Sequence, residues 1–290
     1  MKRLILLIPT LVSLLASAAV PERLDVAYSS IDDGCHINSM EHFRAAIDAG
    51  FNCLKADMNI TSDGVVVLCH DKGFTFDGNG RIGKFDRNNN TVIRNLSWKQ
   101  IRSMEYATGK AEKGTYPKVV TLEQLAQLCR KTGVWMYITL RAYDQRETLS
   151  EVVRILRKYK MTDRCIINNY PPDEKTCALI REYLPEVPIS FTTTSKMDVD
   201  SALVDRVAAY APIMICANRN HIPSPELVSY AAGKGVRCLG WYPSDADTYA
   251  EWLSRGLSGA QICRKSVIAN LPFKGGSHSC TAESRNARGL

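Results

Sequence analysis

The chain has 290 residues, 45% of them hydrophobic and 23% charged, which reads as a soluble globular protein with one large α/β domain or two smaller ones. Its formal charge of +7 is spread along the chain with no Lys/Arg block, so a nucleic-acid partner is not indicated.

Residues 1–18 stand apart. Met1-Lys2-Arg3, an apolar run from Leu4 to Leu15 and the small-x-small site Ala16-Ser17-Ala18 describe a cleavable secretory signal, and the run is too short to serve as a membrane anchor. The mature chain is expected to begin at Ala19 as a secreted or periplasmic protein, with residues 19–290 as a single domain.

A short strand is predicted from Leu24 to Tyr28, followed by a polar loop. Asn38-Ser39 offers an N-cap, and Met40, Phe43, Ala46 and Ile47 recur at helical spacing until Gly50 stops them. A second strand runs from Cys53 to Asn59. Thr61-Ser62-Asp63-Gly64 then separates two β-prone runs, and Asp63-Gly64 is the kind of pair that closes a two-residue hairpin. In that register Ser62 pairs with Val65 and Asp57 lies opposite His70. Lys55, Asp57 and His70 then share one face. His42 falls on the first helix, and a solvent-facing position suits it, His221 and His278. His36 lies in a loop.

Alternation of helix and strand resumes after an insertion of about residues 65–118, whose stretch from Phe74 to Tyr116 is rich in Gly, Asn and charge. Helices are expected near 122–130, 148–159, 174–183, 199–210, 225–233 and 247–256, and strands at 134–140, 165–168, 188–192, 213–217, 236–241 and 260–263. With Leu24 and Cys53 this makes eight strand starts, which predicts a TIM (β/α)8 barrel. The competing open, doubly wound sheet is disfavoured because no glycine-rich phosphate loop opens it. Sites of such barrels lie at the C-terminal strand ends, where Tyr28, Asp57, Thr139 and Arg141 fall. Of the ten cysteines, Cys53, Cys69, Cys216, Cys238 and Cys263 lie in apolar runs and read as buried thiols. Pairing among the others is not deducible. Asn59, Asn89 and Asn95 match the glycosylation acceptor pattern, and Asn59 is expected to be hidden.

Several stretches together resemble the glycerophosphodiester phosphodiesterase family. Residues 38–50 are similar to the family's first helix, and Asp57 with Thr61-Ser62-Asp63-Gly64 and Val65 to Asp71 resembles its most recognisable run, which ends in His-Asp. Val120-Thr121-Leu122-Glu123 resembles a Pro-Thr-Leu-Glu helix start, Tyr137 to Arg141 a strand ending Ile-Glu-Leu-Lys, and Gly235 to Trp241 and Gly256 to Cys263 the last two strands. The resemblance implies a TIM barrel with a small insertion and a divalent metal, Ca²⁺ or Mg²⁺, held by a Glu-x-Asp strand and a third Glu. It also implies two histidines as general acid and base on a glycerophosphodiester.

This chain departs at those points. Lys55-Ala56-Asp57 stands where Glu-x-Asp is expected, Thr139 where the third Glu is expected, Tyr28-Ser29-Ser30 in place of His-Arg-Gly, and Ile37 in place of the Glu before Asn38. Asp57 is the surviving metal-ligand position and His70 the surviving catalytic histidine. One carboxylate beside a lysine makes a poor dication site. No cofactor is therefore expected unless the family's metal site is somehow functional. Lys55, Arg141 and Trp241 are the expected contacts of a small phosphate-containing ligand, with arginine gripping oxygens as a fork and lysine acting as a point charge. The family's phosphoric diester hydrolysis is expected to be impaired, the alternative being a remodelled, metal-independent site that uses His70 and Lys55.

Overall fold

The computed structural model describes residues 20–29, 31, 34–83, 91–109, 116–140, 145–170, 172–194, 196–210 and 214–269. The signal segment, Arg141, Asn89, His278 and Cys280 lie outside the described residues.

The first strand, β1 (Leu24–Ala27), leads through a loop to helix α1 (Met40–Asp48). Ser39 caps that helix by accepting a hydrogen bond from the His42 N–H at 3.1 Å. Strand β2 (Cys53–Ile60) turns back as β3 (Val66–Leu68), and β4 (Gly73–Phe74), β5 (Thr91–Val92), the short helix α2 (Trp98–Ile101) and β6 (Val120–Thr121) follow. From there the rhythm is regular: α3 (Leu122–Thr132), β7 (Trp135–Leu140), α4 (Gln145–Lys158), β8 (Cys165–Asn169), α5 (Glu174–Tyr183) and β9 (Ile189–Thr192). It ends with α6 (Ser201–Ala209), β10 (Met214–Asn218), α7 (Pro225–Gly233), β11 (Arg237–Trp241), α8 (Ala246–Ser254) and β12 (Gly259–Ile262). Side-chain caps recur at the helix starts: Thr121 and Gln124 form a reciprocal capping box on α3, and Asp173, Asp200, Ser224 and Asp245 cap α5 to α8.

Strands β1, β2, β7, β8, β9, β10, β11 and β12 pair in parallel, and β1 bonds to both β2 and β12, so the sheet closes on itself as the eight-stranded barrel that the repeat predicts. Closure depends on Gly259. It holds φ +133°, and a Cβ there would stand 2.1 Å from the Leu24 carbonyl oxygen. Between barrel and helices lies the main apolar layer, where Leu54, Ala56 and Met58 of β2 meet Phe43 and Ala46 of α1. The segment between β2 and β7 adds β3 antiparallel to β2 and β6 antiparallel to β3, and packs its own small core around Val67, Phe74, Ile93, Ile101 and Tyr106.

The hairpin register differs from the expectation by one residue. Asn59 pairs with Val67 and Ile60 with Val66, and the Cys69 N–H donates to the Asp57 carbonyl at 2.9 Å, so Asp57 lies opposite Cys69 rather than His70. The loop has three residues, not two. Thr61 pairs with Val65, its hydroxyl accepts from the Val65 N–H at 2.9 Å, and Gly64 takes the left-handed position at φ +81°.

Inside the barrel the alternation of strand residues produces two layers. The lower is apolar and built by Leu24, Val26, Cys53, Trp135, Tyr137, Ile166 and Leu239. The upper is polar: Asn168 donates to the Thr139 hydroxyl at 3.1 Å, while its carbonyl accepts from Thr192 at 2.6 Å and from Tyr137 at 3.1 Å. Ser190 lies 2.5 Å from the Tyr137 oxygen. All five groups are buried, and mutual hydrogen bonding is what makes their burial tolerable.

Candidate active site

Lys55 and Asp57 sit two apart on β2, so both point into the barrel, Lys55 level with Tyr137 at the top of the apolar layer and Asp57 level with Thr139 of the polar one. The Lys55 ammonium donates to Asp57 Oδ2 at 2.5 Å, and the two residues are 8% and 1% exposed. Neither charge is tolerable alone at such depth, and each is the other's partner. The ammonium also stands 4.8 Å from the ring centroid of Tyr28, close enough for the negative ring face to share the charge. The loop after β1 is tied down here: Asn38, at φ +61°, accepts from the Asp57 backbone N–H at 3.2 Å. Asparagine tolerates that left-handed backbone better than most residues.

A pocket of about 110 Å³ opens over this pair, lined also by Tyr28, Asn38, His42 and His70. The mismatched register does not remove His70 from it. Strand β3 ends at Leu68, the chain bends, and Asn59 holds the bend by donating to the carbonyls of Cys69 at 2.8 Å and Asp71 at 2.9 Å. His70 is thereby presented from a loop instead of a strand face. Its Nδ1 lies within hydrogen-bond distance of Asp71 Oδ1, at 3.0 Å, which orients the ring. Asn59 is buried, so its glycosylation pattern is hidden as expected.

His42 is the residue the sequence reading misses. It is 1% exposed and lines the pocket, not solvent. The signal was present: position 42 is four residues before buried Ala46 and next to buried Phe43, so it belongs to the packed face of α1. His36 does not line this pocket. Its ring stacks on Tyr106 of the insertion at 3.6 Å, and burial lowers its pKa from 6.5 to about 4. His221 is half-buried beyond β10.

Thr139, opposite Asp57, is committed to Asn168, and Arg141 lies just past the described end of β7. Trp241 ends β11 and meets Tyr28 edge-on at 6.0 Å and Tyr170 at 6.5 Å. Tyr242, which follows it at φ +73°, meets Tyr28 at 5.9 Å.

The donor set does not suit a hard dication. Ca²⁺ needs about six to eight oxygens and Mg²⁺ an octahedron of them. Asp57 is one carboxylate already engaged by an ammonium, and among the described residues no three His, Cys, Asp or Glu side chains come together as metal ligands. Cys53, Cys69, Cys129, Cys165, Cys177 and Cys238 are free thiols. Cys53, Cys69, Cys129, Cys165, Cys177, Cys238 and Cys263 are buried, as expected for the four of them that lie in strands or strand ends flagged by sequence, and Cys35 is half-buried.

Comparison with known proteins bears on this arrangement. Residues 33–260 match the model of the Glycerophosphoryl diester phosphodiesterase family. A glycerophosphodiester phosphodiesterase of Caldanaerobacter subterraneus is 19% identical over 82% of this chain and 93% of its own length. The human glycerophosphodiester phosphodiesterase 1 is 25% identical over 58% of this chain, a match that spans 45% of the human protein. Among solved structures, a putative glycerophosphoryl diester phosphodiesterase of Silicibacter pomeroyi superposes with a TM-score of 0.69 at 20% identity, covering 86% of this chain and 92% of that one. An Oleispira antarctica phosphodiesterase, solved with its product sn-glycerol-3-phosphate, superposes with a TM-score of 0.70 at 13% identity over 85% and 95% of the two chains.

Proposed function

We propose that this chain, which belongs to the Glycerophosphoryl diester phosphodiesterase family, binds a phosphate-containing ligand in the mouth of its barrel without a divalent metal and hydrolyses it weakly or not at all. The observation that carries this reading is the buried Lys55–Asp57 pair. An ammonium stands on the surviving carboxylate, where a bound dication would otherwise screen a phosphate's charge. Lys55 supplies a positive charge to the phosphate, and Arg141, which follows β7 in the chain, supplies a second as a fork. The product bound by the Oleispira phosphodiesterase is a ligand of the class proposed. Single charges replace a metal's electrostatic pull only in part, and no carboxylate set remains to organise a reacting centre.

The test is release of glycerol 3-phosphate from a glycerophosphodiester. Wild type is expected to show little turnover. Lys55→Glu combined with Thr139→Glu and Tyr28→His is expected to restore metal-dependent release, while single changes do almost nothing. Robust wild-type turnover lost in His70→Ala would overturn the impaired reading.

One observation favours a second reading. His42 and His70 line the same pocket as Lys55, so two imidazoles are available to a metal-independent diesterase, one to accept a proton and one to return it. That reading requires turnover insensitive to chelator and lost in both His42→Ala and His70→Ala.

A further inference from the structure

Tyr106 belongs to the small core of the insertion and does not line the Lys55 pocket, yet it touches the chain directly behind two of that pocket's walls. On one side its ring lies on the His36 ring, with centroids 3.6 Å apart and planes 14° apart, and His36 immediately precedes the lining residues Ile37 and Asn38. On the other side its hydroxyl lies beside the buried Cys69 thiol, and Cys69 immediately precedes the lining residue His70. Both segments lead to Asp57. The Asn38 side chain accepts from the Asp57 N–H at 3.2 Å, and the Cys69 N–H donates to the Asp57 carbonyl at 2.9 Å. The backbone of the pocket's carboxylate residue is therefore held from two sides by segments that meet again at Tyr106.

Tyr106 is itself firmly placed. Its N–H donates to the Pro117 carbonyl at 2.9 Å, and both flanking residues bond to Ile82: the Ile82 N–H donates to the Glu105 carbonyl at 2.8 Å and the Ala107 N–H to the Ile82 carbonyl at 2.7 Å. The side chain is buried, and a close-packed ring has no free volume into which to swing. Gly109 adds a second contact with the loop after β1. It holds φ +95°, and a Cβ there would stand 2.6 Å from the His36 backbone nitrogen, so the two backbones touch. That loop is the part in need of support: Ser29 and Asn38 take φ +59° and +61°, and such backbone persists where surrounding contacts over-determine it. His36 is uncharged at neutral pH because burial lowers its pKa to about 4, so its ring meets Tyr106 as an apolar plate.

We propose that Tyr106 is a positioning residue through which the insertion sets the Asn38 and His70 walls of the pocket against each other, and so sets the pocket's grip on its ligand. Its affinity test rests on the reading that a phosphate binds at Lys55, and a ligand-free measurement separates the two. The His70 imidazole resonance, assigned with His70→Gln, is followed by NMR on the full chain, and glycerol 3-phosphate affinity is measured by calorimetry. Tyr106→Leu is expected to move the His70 resonance without ligand and to weaken glycerol 3-phosphate about tenfold, the worth of one hydrogen bond to a charged group. Tyr106→Phe keeps the stack and is expected to behave as wild type in both. His36→Leu breaks the stack from the loop side; it is expected to weaken binding by a similar factor and to add little when combined with Tyr106→Leu. Ile101→Ala, a cavity in the same insertion core, is expected to lower the urea midpoint and leave resonance and affinity in place. An unmoved His70 resonance in Tyr106→Leu, additive losses in the double variant, or the same changes in Ile101→Ala overturn the proposal. If Tyr106→Leu does not fold, His36→Leu carries the test, and unchanged affinity there overturns it. A wild type that binds no glycerol 3-phosphate overturns the phosphate reading alone, and the ligand-free His70 resonance in the Tyr106 and His36 variants then decides the role of Tyr106.

Discussion

Replacing Lys55 by methionine keeps the length of the side chain and deletes its charge. Asp57 is then left 1% exposed with its ammonium gone. Removing one partner of a buried pair costs about 3–5 kcal/mol because the remaining charge is uncompensated, against a total stability of about 5–15 kcal/mol for an ordinary domain. Removing both partners, as in Lys55→Met with Asp57→Leu, exchanges the pair for apolar volume and is expected to return stability to within about 1 kcal/mol of wild type. Urea unfolding followed by circular dichroism at pH 7 gives each free energy, with Asp57→Leu completing the cycle. A loss below about 1 kcal/mol for Lys55→Met is what an exposed ion pair gives and would refute the reasoning. So would a double variant as unstable as the single one.

Three further outcomes are open to measurement. Because burial lowers the His36 pKa from 6.5 to about 4, the native state binds fewer protons than the unfolded chain between those values. Its contribution is complete above pH 6.5 and lost as pH falls through about 4, at about 1.4 kcal/mol per pH unit, so His36→Gln is expected to flatten the pH dependence of unfolding in that window. An unchanged slope would contradict it. Gly259→Ala is expected to cost at least about 3 kcal/mol or to prevent folding, since its Cβ would meet the Leu24 backbone and its φ of +133° is strained for alanine; a melting temperature equal to wild type would show that β1 and β12 are not so closely joined. We propose that residues 1–18 are a cleaved export signal, in which case N-terminal sequencing of the protein from its native host reads from Ala19, and recovery of Met1 would exclude the signal.

The barrel was legible because its signals are local. Periodicity shifts from helical to extended at each unit, and Ser39, Thr121, Asp173 and Asp245 mark helix starts in their own sequence neighbourhoods. The placing of Lys55 and Asp57 together needed only the two-residue period of a strand. The hairpin register did not follow as easily, because Asp63-Gly64 suits either a two-residue turn or the last two places of a three-residue loop. The choice is made by the Thr61 hydroxyl and by contacts of the turn with Leu96 and Trp98, far along the chain. His70 reaches the pocket through the grip of Asn59 on the following bend, which is tertiary. Residue type alone favours solvent for His42, whereas its spacing from Ala46 places it on the buried face of α1. The hydroxyl and amide layer from Tyr137 to Thr192 is assembled across three strands and has no trace in any one of them.

The most direct test of the central claim, that the Lys55 ammonium does the electrostatic work of the missing metal, is the affinity of glycerol 3-phosphate measured by calorimetry with and without chelator. The expected result is saturable binding, unchanged by chelator or by added Ca²⁺ and Mg²⁺, and abolished in Lys55→Ala. Binding that vanishes on chelation, returns with a divalent ion and is lost in Asp57→Ala but kept in Lys55→Ala would contradict it.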